Sequence, residues 1–144
     1  MSEINVQKIK RFNRFYTRTM GLFNLYTDES PYSATEALIL FEISTRKECT
    51  AAYLSSYFLL DKSYMSRIIK HFERDGLIVK SFSEEDRRIQ HIELTELGGD
   101  ALKTLADKAS LNVESMIDGI AENDIEVLIE SMQKIEEILY PKIR

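Results

Sequence analysis

The order of structural elements between residues 54 and 98 constrains this chain more than any other feature. A segment with helical spacing is followed by a tight turn, a second helix over 62–72, and two β-rich runs joined by a wholly polar tip, 83–88. Helix, turn, helix and hairpin in this order predict a helix-turn-helix followed by a wing. A wing tip with two adjacent arginines, Arg87 and Arg88, is typical of proteins that grip a nucleic-acid backbone or groove.

The helix over 62–72 has a buried side and an exposed side that its spacing separates. Four apolar residues recur at i, i+3, i+4 and i+7 and mark the buried stripe: Met65, Ile68, Ile69 and Phe72. Asp61 is placed to cap the start of this helix, and Gly76 is placed to end it with a positive φ. The opposite side presents hydrogen-bonding groups where a recognition helix enters the major groove, namely Lys62, Ser63, Tyr64, Ser66, Arg67, Lys70 and His71.

Helices are also predicted before this motif. The first runs from about Glu3 to Tyr26 and has one apolar stripe, Ile9, Phe12, Tyr16, Met20 and Phe23. Ser33 and Glu36 have capping-box spacing and start a second helix that reaches Thr45. We expect this second helix to bury Ala37, Leu38, Leu40 and Phe41. Thr50 caps a short third helix to Tyr57, packed through Ala51, Leu54 and the following Phe58.

The hairpin and two more helices complete the chain. The runs 77–82 and 89–94 alternate with period two and predict an antiparallel hairpin. Thr95 starts a long helix to about Ile120, and a last helix runs from about Asn123 to Tyr140. The last helix carries a narrow apolar seam suited to packing against another helix: Ile125, Leu128, Met132, Ile135 and Leu139.

Composition predicts one soluble, cytoplasmic domain. A chain of 144 residues can bury a core without a metal or a disulfide, and its single cysteine, Cys49, cannot form an intrachain bridge. There is no secretory leader pattern and no apolar run of about 18 residues. The net charge of -5 argues against nucleic-acid binding, but residues 93–140 carry twelve acidic and three basic side chains. The rest of the chain can therefore present a local positive face, because salt screens distant charge.

These residues resemble the winged helix-turn-helix of the MarR family of transcription regulators. The resemblance is carried by Leu60-Asp61-Lys62-Ser63, Ser66-Arg67-Ile68-Ile69, Gly76-Leu77-Ile78, Glu85-Asp86-Arg87-Arg88 and Leu94-Thr95-Glu96-Leu97-Gly98. It implies a mainly α fold with a small β-wing, in one domain over 1–144. Residues 33–97 would form the DNA-binding lobe, and 1–30 with 98–144 the helical dimerisation layer. Two wings of a homodimer would then flank a pseudo-palindromic operator in double-stranded DNA.

The same resemblance assigns roles to individual residues. It places Ser63, Tyr64, Ser66 and Arg67 at the major groove and the wing arginines at the adjacent minor groove. Asp86 occupies the position whose carboxylate orients the wing arginine. We expect Arg88 to be the inserted residue and Arg87 to contact phosphate. Tyr64 departs from the small hydroxyl residue common at its position, so the base preference does not follow from the family.

Other residues leave alternatives open. His71 can contact phosphate or pack near the helix end. Aromatic side chains are first of all core or dimer packing, although family members bind aromatic or phenolic effectors between the two layers, which suggests Phe12, Tyr16 and Phe41 as ligand contacts. A redox role for Cys49 is disfavoured because family sensors carry the cysteine in the first helix and because Glu48 opposes a thiolate.

No cofactor, metal or catalytic residue is predicted, since the chain lacks a phosphate-binding loop and metal-spaced cysteines or histidines. We therefore expect that the protein is not an enzyme. The main interpretation is a ligand-responsive DNA-binding repressor. The alternative is a winged-helix dimer that acts as a protein-interaction adaptor without DNA binding, which would have little reason to keep the exposed helix face with Arg87 and Arg88.

Overall fold

A computed structural model describes residues 2–19 and 32–143, which form six helices and one two-stranded antiparallel sheet. The elements in chain order are α1 (Glu3–Thr19), α2 (Ala34–Thr45), α3 (Ala51–Phe58), α4 (Lys62–Arg74), β1 (Ile78–Phe82), β2 (Gln90–Leu94), α5 (Glu96–Ile117) and α6 (Glu122–Ile143). The predicted mainly α fold with a small β-wing is confirmed. Met20, Phe23 and Tyr26, predicted to continue the first helix, lie outside the described residues.

Side-chain caps start the helices where the sequence predicts them. Ser33 and Glu36 form a complete capping box on α2, in which the Glu36 amide donates to Ser33 Oγ and the Ser33 amide donates to Glu36 Oε1. The side chains of Thr50, Asp61 and Thr95 accept first-turn amides of α3, α4 and α5. Each cap satisfies an amide that has no partner inside its helix and is worth about 1 kcal/mol.

The two helices of the helix-turn-helix end in the same hydrogen-bonded motif. After α4, Gly76 takes a φ of +78°, and the Leu77 amide donates to the Phe72 carbonyl at 2.9 Å. After α3, Leu59 takes a φ of 55°, and the Leu60 amide donates to the Ser55 carbonyl at 3.0 Å. The sequence predicts the first of these ends. It gives no sign of the second, because leucine rarely adopts positive φ.

The core lies where α2, α3, α4 and α5 meet the sheet. The core includes Leu105 of α5. The largest fully buried side chains come from α2, α3, α4, the two strands and the residue Cys49 before α3: Phe72, Ile39, Leu40, Leu54, Met65, Ile69, Ile78, Ile92 and Cys49. The four stripe residues of α4 are all buried, as predicted. The position of α4 is therefore determined by the packing of one side of this helix.

The buried side of α2 differs from the prediction. Leu38 and Phe41 are 50% and 54% exposed, and Ile39 and Ile43 join Ala37 and Leu40 in the core instead. Six of the seven residues over 37–43 are apolar, so the spacing cannot tell which side packs inward. Ala51 of α3 was also predicted to pack but is exposed, because Leu54 and Ser55 form the buried side of that short helix.

The wing is an antiparallel hairpin whose register runs from the pair Ile78 and Leu94 to the pair Phe82 and Gln90. An isolated bridge between Cys49 and Ile92 ties its second strand to the start of α3, since the Ile92 amide donates to the Cys49 carbonyl at 2.8 Å. The hairpin is thus attached to the helical core along β2, while its tip projects beyond the paired residues.

The start of α5 passes so close to the residue before β1 that only glycine fits at position 98. The Thr95 amide donates to the Leu77 carbonyl at 2.9 Å, and Thr95 Oγ1 donates to the Gly76 carbonyl at 2.6 Å. A Cβ atom on Gly98 would lie 2.1 Å from the Leu77 carbonyl oxygen. Gly99, the next residue of α5, has no such neighbour within 4 Å.

We predict opposite effects of alanine at these two positions. Gly98→Ala should lower the free energy of unfolding by about 3 kcal/mol or more, because the clash is with backbone that cannot rotate away. Gly99→Ala should leave it unchanged or raise it by up to about 1 kcal/mol, because alanine favours the helix. Urea denaturation followed by circular dichroism measures both, and equal stability of the two variants would contradict the close approach.

Candidate nucleic-acid interface

The outward side of α4 carries the side chains that the sequence assigns to DNA. Because Met65, Ile68, Ile69 and Phe72 are buried on one side of α4, the residues on the opposite side of the helix point away from the core. We call the following residues, all exposed, the α4 outer face: Lys62, Ser63, Tyr64, Ser66, Arg67 and Lys70. The structure brings six of the seven predicted helix residues to one accessible surface, and His71 is the exception.

Tyr64 and Arg67 of the α4 outer face contact one another. They are one helical turn apart, and the Arg67 guanidinium carbon lies 5.7 Å from the centroid of the Tyr64 ring. A cation over an aromatic face is attracted by the ring electrons. Tyr64 thus limits where Arg67 can point, a relation that the sequence spacing allows but does not identify.

His71 of α4, which the sequence places on the exposed side, is half-buried, with 31% of its side chain exposed, and contacts other side chains of the lobe. Its Nδ1 lies 2.9 Å from Glu36 Oε2, and its Nε2 lies 3.1 Å from Asp75 Oδ2. Tyr32 completes the cluster, since its hydroxyl donates to Asp75 Oδ2 and its ring lies 5.9 Å from that of His71. Of the two alternatives that the sequence leaves open, the structure therefore favours packing: His71 links the end of α4 to the capping box of α2.

The wing tip is folded by its own hydrogen bonds. Ser83 Oγ accepts the Glu85 and Asp86 amides at 3.3 and 3.4 Å, the Ser83 amide donates to the Ile89 carbonyl, and the Ile89 amide donates to the Asp86 carbonyl. The segment is thus an ordered turn and not a helix start. At its base an ion pair of 3.6 Å between Lys80 and Glu73 joins β1 to α4. The spacing of the sequence gives no sign of this pair, because Lys80 and Glu73 lie in different elements.

Asp86 holds Arg88 through a bidentate ion pair. Arg88 Nε and Nη2 donate to Asp86 Oδ1 and Oδ2, each at 3.0 Å, and the Arg88 amide donates to Oδ1. These hydrogen bonds from the Arg88 side chain and amide lower the pKa of Asp86. The Arg88 side chain nevertheless stays 90% exposed. Of the five N–H donors of a guanidinium, those that Asp86 does not use remain available to an outside acceptor.

Arg87 is held differently from Arg88. Its guanidinium carbon lies 5.5 Å from the ring centroid of Phe82, the last residue of β1. Among the described residues, no carboxylate lies within ion-pairing distance of Arg87. The wing therefore presents two exposed guanidinium groups, one held by a carboxylate and one by an aromatic ring. The sequence signal for Phe82 is an aromatic residue directly before a polar tip, but its contact with Arg87 does not follow from the sequence.

The residues suggested for a ligand are only partly brought together. The rings of Phe12 and Tyr16 stack at 5.6 Å on α1, and Phe12 lines a shallow cleft of about 420 Å³ with Lys8, Arg11 and Phe15. Phe41 lies on α2 and makes no ring contact with either of them in the part of the chain that the structure describes. A ligand site at these residues stays a prediction.

Cys49 is fully buried, and burial, with a smaller contribution from the nearby Glu42 carboxylate, raises the pKa of its thiol. A buried thiol with a raised pKa is a poor nucleophile. The neighbouring Tyr53 has a similarly protected hydroxyl: burial and a hydrogen bond of 2.6 Å to Glu42 raise its pKa to about 12. The geometry thus agrees with the expectation that Cys49 is not a redox sensor.

We predict that Cys49 in the native protein reacts slowly with a thiol reagent such as Ellman's reagent at pH 7.5. The same thiol should react fully within minutes once the chain is unfolded in guanidinium chloride, because unfolding removes the burial that protects it. Absorbance at 412 nm reports both rates. Fast labelling of the folded protein, checked by circular dichroism under the same conditions, would contradict the protected environment.

Residues 2–19 and 32–143 contain neither a group of metal ligands nor a membrane-spanning helix. Within these ranges, no three or more histidine, cysteine, aspartate or glutamate side chains are grouped so that they could hold a metal ion. None of the helices formed by these residues combines the length and the apolar character needed to cross a membrane.

Comparison with known proteins agrees with this architecture. Residues 30–89 match the model of the MarR family. The regulator BilQ of Clostridioides difficile is 31% identical over 84 residues, 56% of this chain and 57% of BilQ, so the match spans little more than half of that relative. The regulator SarZ of Staphylococcus epidermidis is 25% identical over 122 residues, 83% of this chain and 81% of SarZ. Both are described as HTH-type transcriptional regulators.

Solved structures share the fold over almost the whole chain. FabT of Streptococcus pneumoniae, in complex with DNA, has a TM-score of 0.73 and 24% identity, covering 96% of each chain. BpsR of Bordetella bronchiseptica, whose DNA binding is regulated by 6-hydroxynicotinic acid, has a TM-score of 0.71 and 18% identity, covering 90% of this chain and 98% of BpsR. Residues 30–89 of this chain are thus similar to the MarR family, and almost the whole chain shares the fold of these solved structures.

Proposed function

We propose that this protein binds double-stranded DNA as a homodimer and acts as a ligand-responsive repressor at a pseudo-palindromic operator. The observation that carries the proposal is the wing tip, where Asp86 holds an almost fully exposed Arg88. A guanidinium oriented by one carboxylate keeps donors for the floor of a narrow minor groove, where the negative potential is concentrated. FabT, solved in complex with DNA, has the same fold and supports this assignment.

The α4 outer face supplies the second half of the proposed interface. Its start carries Ser63, Tyr64 and Arg67 on an exposed helix surface, the arrangement with which a recognition helix reads base edges in the major groove. Lys62 and Lys70 at its borders suit phosphate contacts. In a symmetric dimer the two α4 helices would enter successive major grooves about 34 Å apart.

The net charge of -5 does not oppose this function, because α5 and α6 together carry ten acidic and four basic side chains and so account for the negative excess. Charges further apart than about 8 Å interact weakly at physiological salt, so phosphates near the wing respond to the charges of the wing tip itself, Arg87 and Arg88 together with Glu84, Glu85 and Asp86. Since such a regulator works on the chromosome, its place of action is the cytoplasm.

Exposed apolar side chains on the terminal helices support the proposed dimer, with 1–30 and 98–144 as the dimerisation region. Large apolar groups that a single chain leaves accessible in this way mark a surface that binds protein. They are Ile4, Ile9, Phe12 and Phe15 of α1, Leu111 and Val113 of α5, and Val127, Ile129, Ile135, Ile138 and Leu139 of α6.

Ligand control would follow from the spacing between the two lobes. A small aromatic or phenolic molecule near Phe12, Tyr16 and Phe41 would release DNA if it bound better to a dimer with the wrong spacing. About a hundredfold preference, or about 2.7 kcal/mol, is enough for strong derepression. The fold is shared with BpsR, which 6-hydroxynicotinic acid regulates.

The proposed function is tested by selecting bound duplexes from a random pool with the purified protein at about 50 and 150 mM salt. We expect a pseudo-palindromic sequence to emerge. Arg88→Ala should then weaken binding to the selected duplex at least about tenfold, because the groove loses its inserted cation. Lys103→Ala, which removes the same charge from the exposed surface of α5, is the matched control and should bind like the wild type.

Two results would count against this function. One is a purified, folded protein that selects no duplex even at low salt, which would favour the protein-interaction adaptor. The other is an Arg88→Ala variant that binds the selected duplex with unchanged affinity, which would remove the wing from the interface.

The dimer has its own test. Replacing Ile135 and Leu139 with aspartate should give monomers or unfolded chains in sedimentation velocity, because two charges would enter the apolar seam of α6. Replacing Asn123 and Gln133 with aspartate adds the same charge to the same helix and should leave the dimer intact. A double aspartate variant at 135 and 139 that still sediments as a dimer would place the contact between the two chains elsewhere.

A further inference from the structure

Phe82 is an apolar side chain that the core does not use. It ends β1, pairs with Gln90 across the hairpin, and is 54% exposed. The buried positions of the hairpin are Ile78, the first residue of β1, and Ile92, in the middle of β2, and both belong to the core cluster. Packing inside the lobe therefore does not account for an aromatic residue at position 82.

The contact that Phe82 makes is with the wing arginine that has no carboxylate. The Arg87 guanidinium lies over the Phe82 ring at 5.5 Å, although Glu84 and Glu85 are close in sequence and exposed at the tip. None of the ion pairs among the described residues involves Arg87. The Arg87 guanidinium thus contacts the Phe82 ring and does not form an ion pair with the neighbouring carboxylates.

We infer that Phe82 is a positioning residue that holds Arg87 ready to contact a DNA phosphate, an inference that rests on the proposed function. An aromatic ring attracts a cation without neutralising it and without occupying its N–H donors. Arg87 therefore keeps its full charge and its full set of donors for a phosphate, while its side chain loses less freedom on binding because it is already restrained.

The two wing arginines then have different partners for different tasks. Asp86 accepts two side-chain hydrogen bonds from Arg88 and so fixes the direction of its remaining donors, which suits a groove contact with strict geometry. Phe82 restrains Arg87 only loosely, which suits a phosphate that can be met from several directions.

The test compares variants of Phe82 in two backgrounds by fluorescence anisotropy on the selected duplex. Phe82→Leu keeps an apolar side chain and removes the aromatic face, so we expect about twofold to fivefold weaker binding. Phe82→Tyr keeps the ring and should bind like the wild type. Val79→Ala changes another half-exposed apolar residue of β1 and serves as the matched control that should have no effect.

The background with Arg87→Ala distinguishes positioning from a direct role of the ring. Arg87→Ala alone should weaken binding. It should also reduce the slope of log K against log salt concentration by about one, because one phosphate contact is lost. In that background Phe82→Leu should cause no further loss, because there is no guanidinium left to hold. Melting curves of all variants establish that the fold is retained.

The same binding measurements distinguish an error about Phe82 from an error about the proposed function. The inference is overturned if Phe82→Leu binds like the wild type, or if it costs the same affinity with and without Arg87, which would mean that the ring itself contacts DNA or shapes the hairpin. If the wild-type protein binds no duplex at all, the proposed function fails, and the role given to Phe82 fails with it.

Discussion

Burial of one side of α4 is the constraint on which the candidate interface depends. Met65, Ile69 and Phe72 are almost or completely inaccessible, and removing a side chain of this size from water stabilises the fold by about 1.5–3 kcal/mol. Because a helix is rigid, fixing these residues in the core fixes the direction of every other side chain on α4. Packing of the buried side of α4 therefore determines the direction of the α4 outer face, which needs no contacts of its own for this.

Several contacts then connect this helix to its surroundings at defined points. The bonds of Thr95 to the carbonyls of Gly76 and Leu77 join the end of α4 to the start of α5. His71 joins α4 to α2 through Glu36, and Lys80 joins the wing to α4 through Glu73. These contacts therefore connect α2 and α5 to both α4 and the wing.

Much of the fold could be predicted from short patterns because local rules dominate there. The capping box of Ser33 and Glu36, the cap at Asp61 and the positive φ of Gly76 each depend on residues a few positions apart, and all are confirmed. The buried side of α2 was wrong at Leu38 and Phe41, because a helix that is apolar all round offers no contrast. The left-handed Leu59 was unpredictable because the turn overrides the preference of its residue.

The sequence by itself determined the order of the elements, the caps that begin them, the polar face of α4 and the arginines of the wing, since these follow from spacing and residue type along one segment. Only the tertiary structure decided the partners: Glu36 and Asp75 for His71, Tyr64 for Arg67, and Phe82 for Arg87. The physical reason is that a side-chain contact depends on distances and directions in space. Neighbouring carboxylates such as Glu84 and Glu85 were equally available to Arg87 by sequence, and the folded hairpin alone selects the ring.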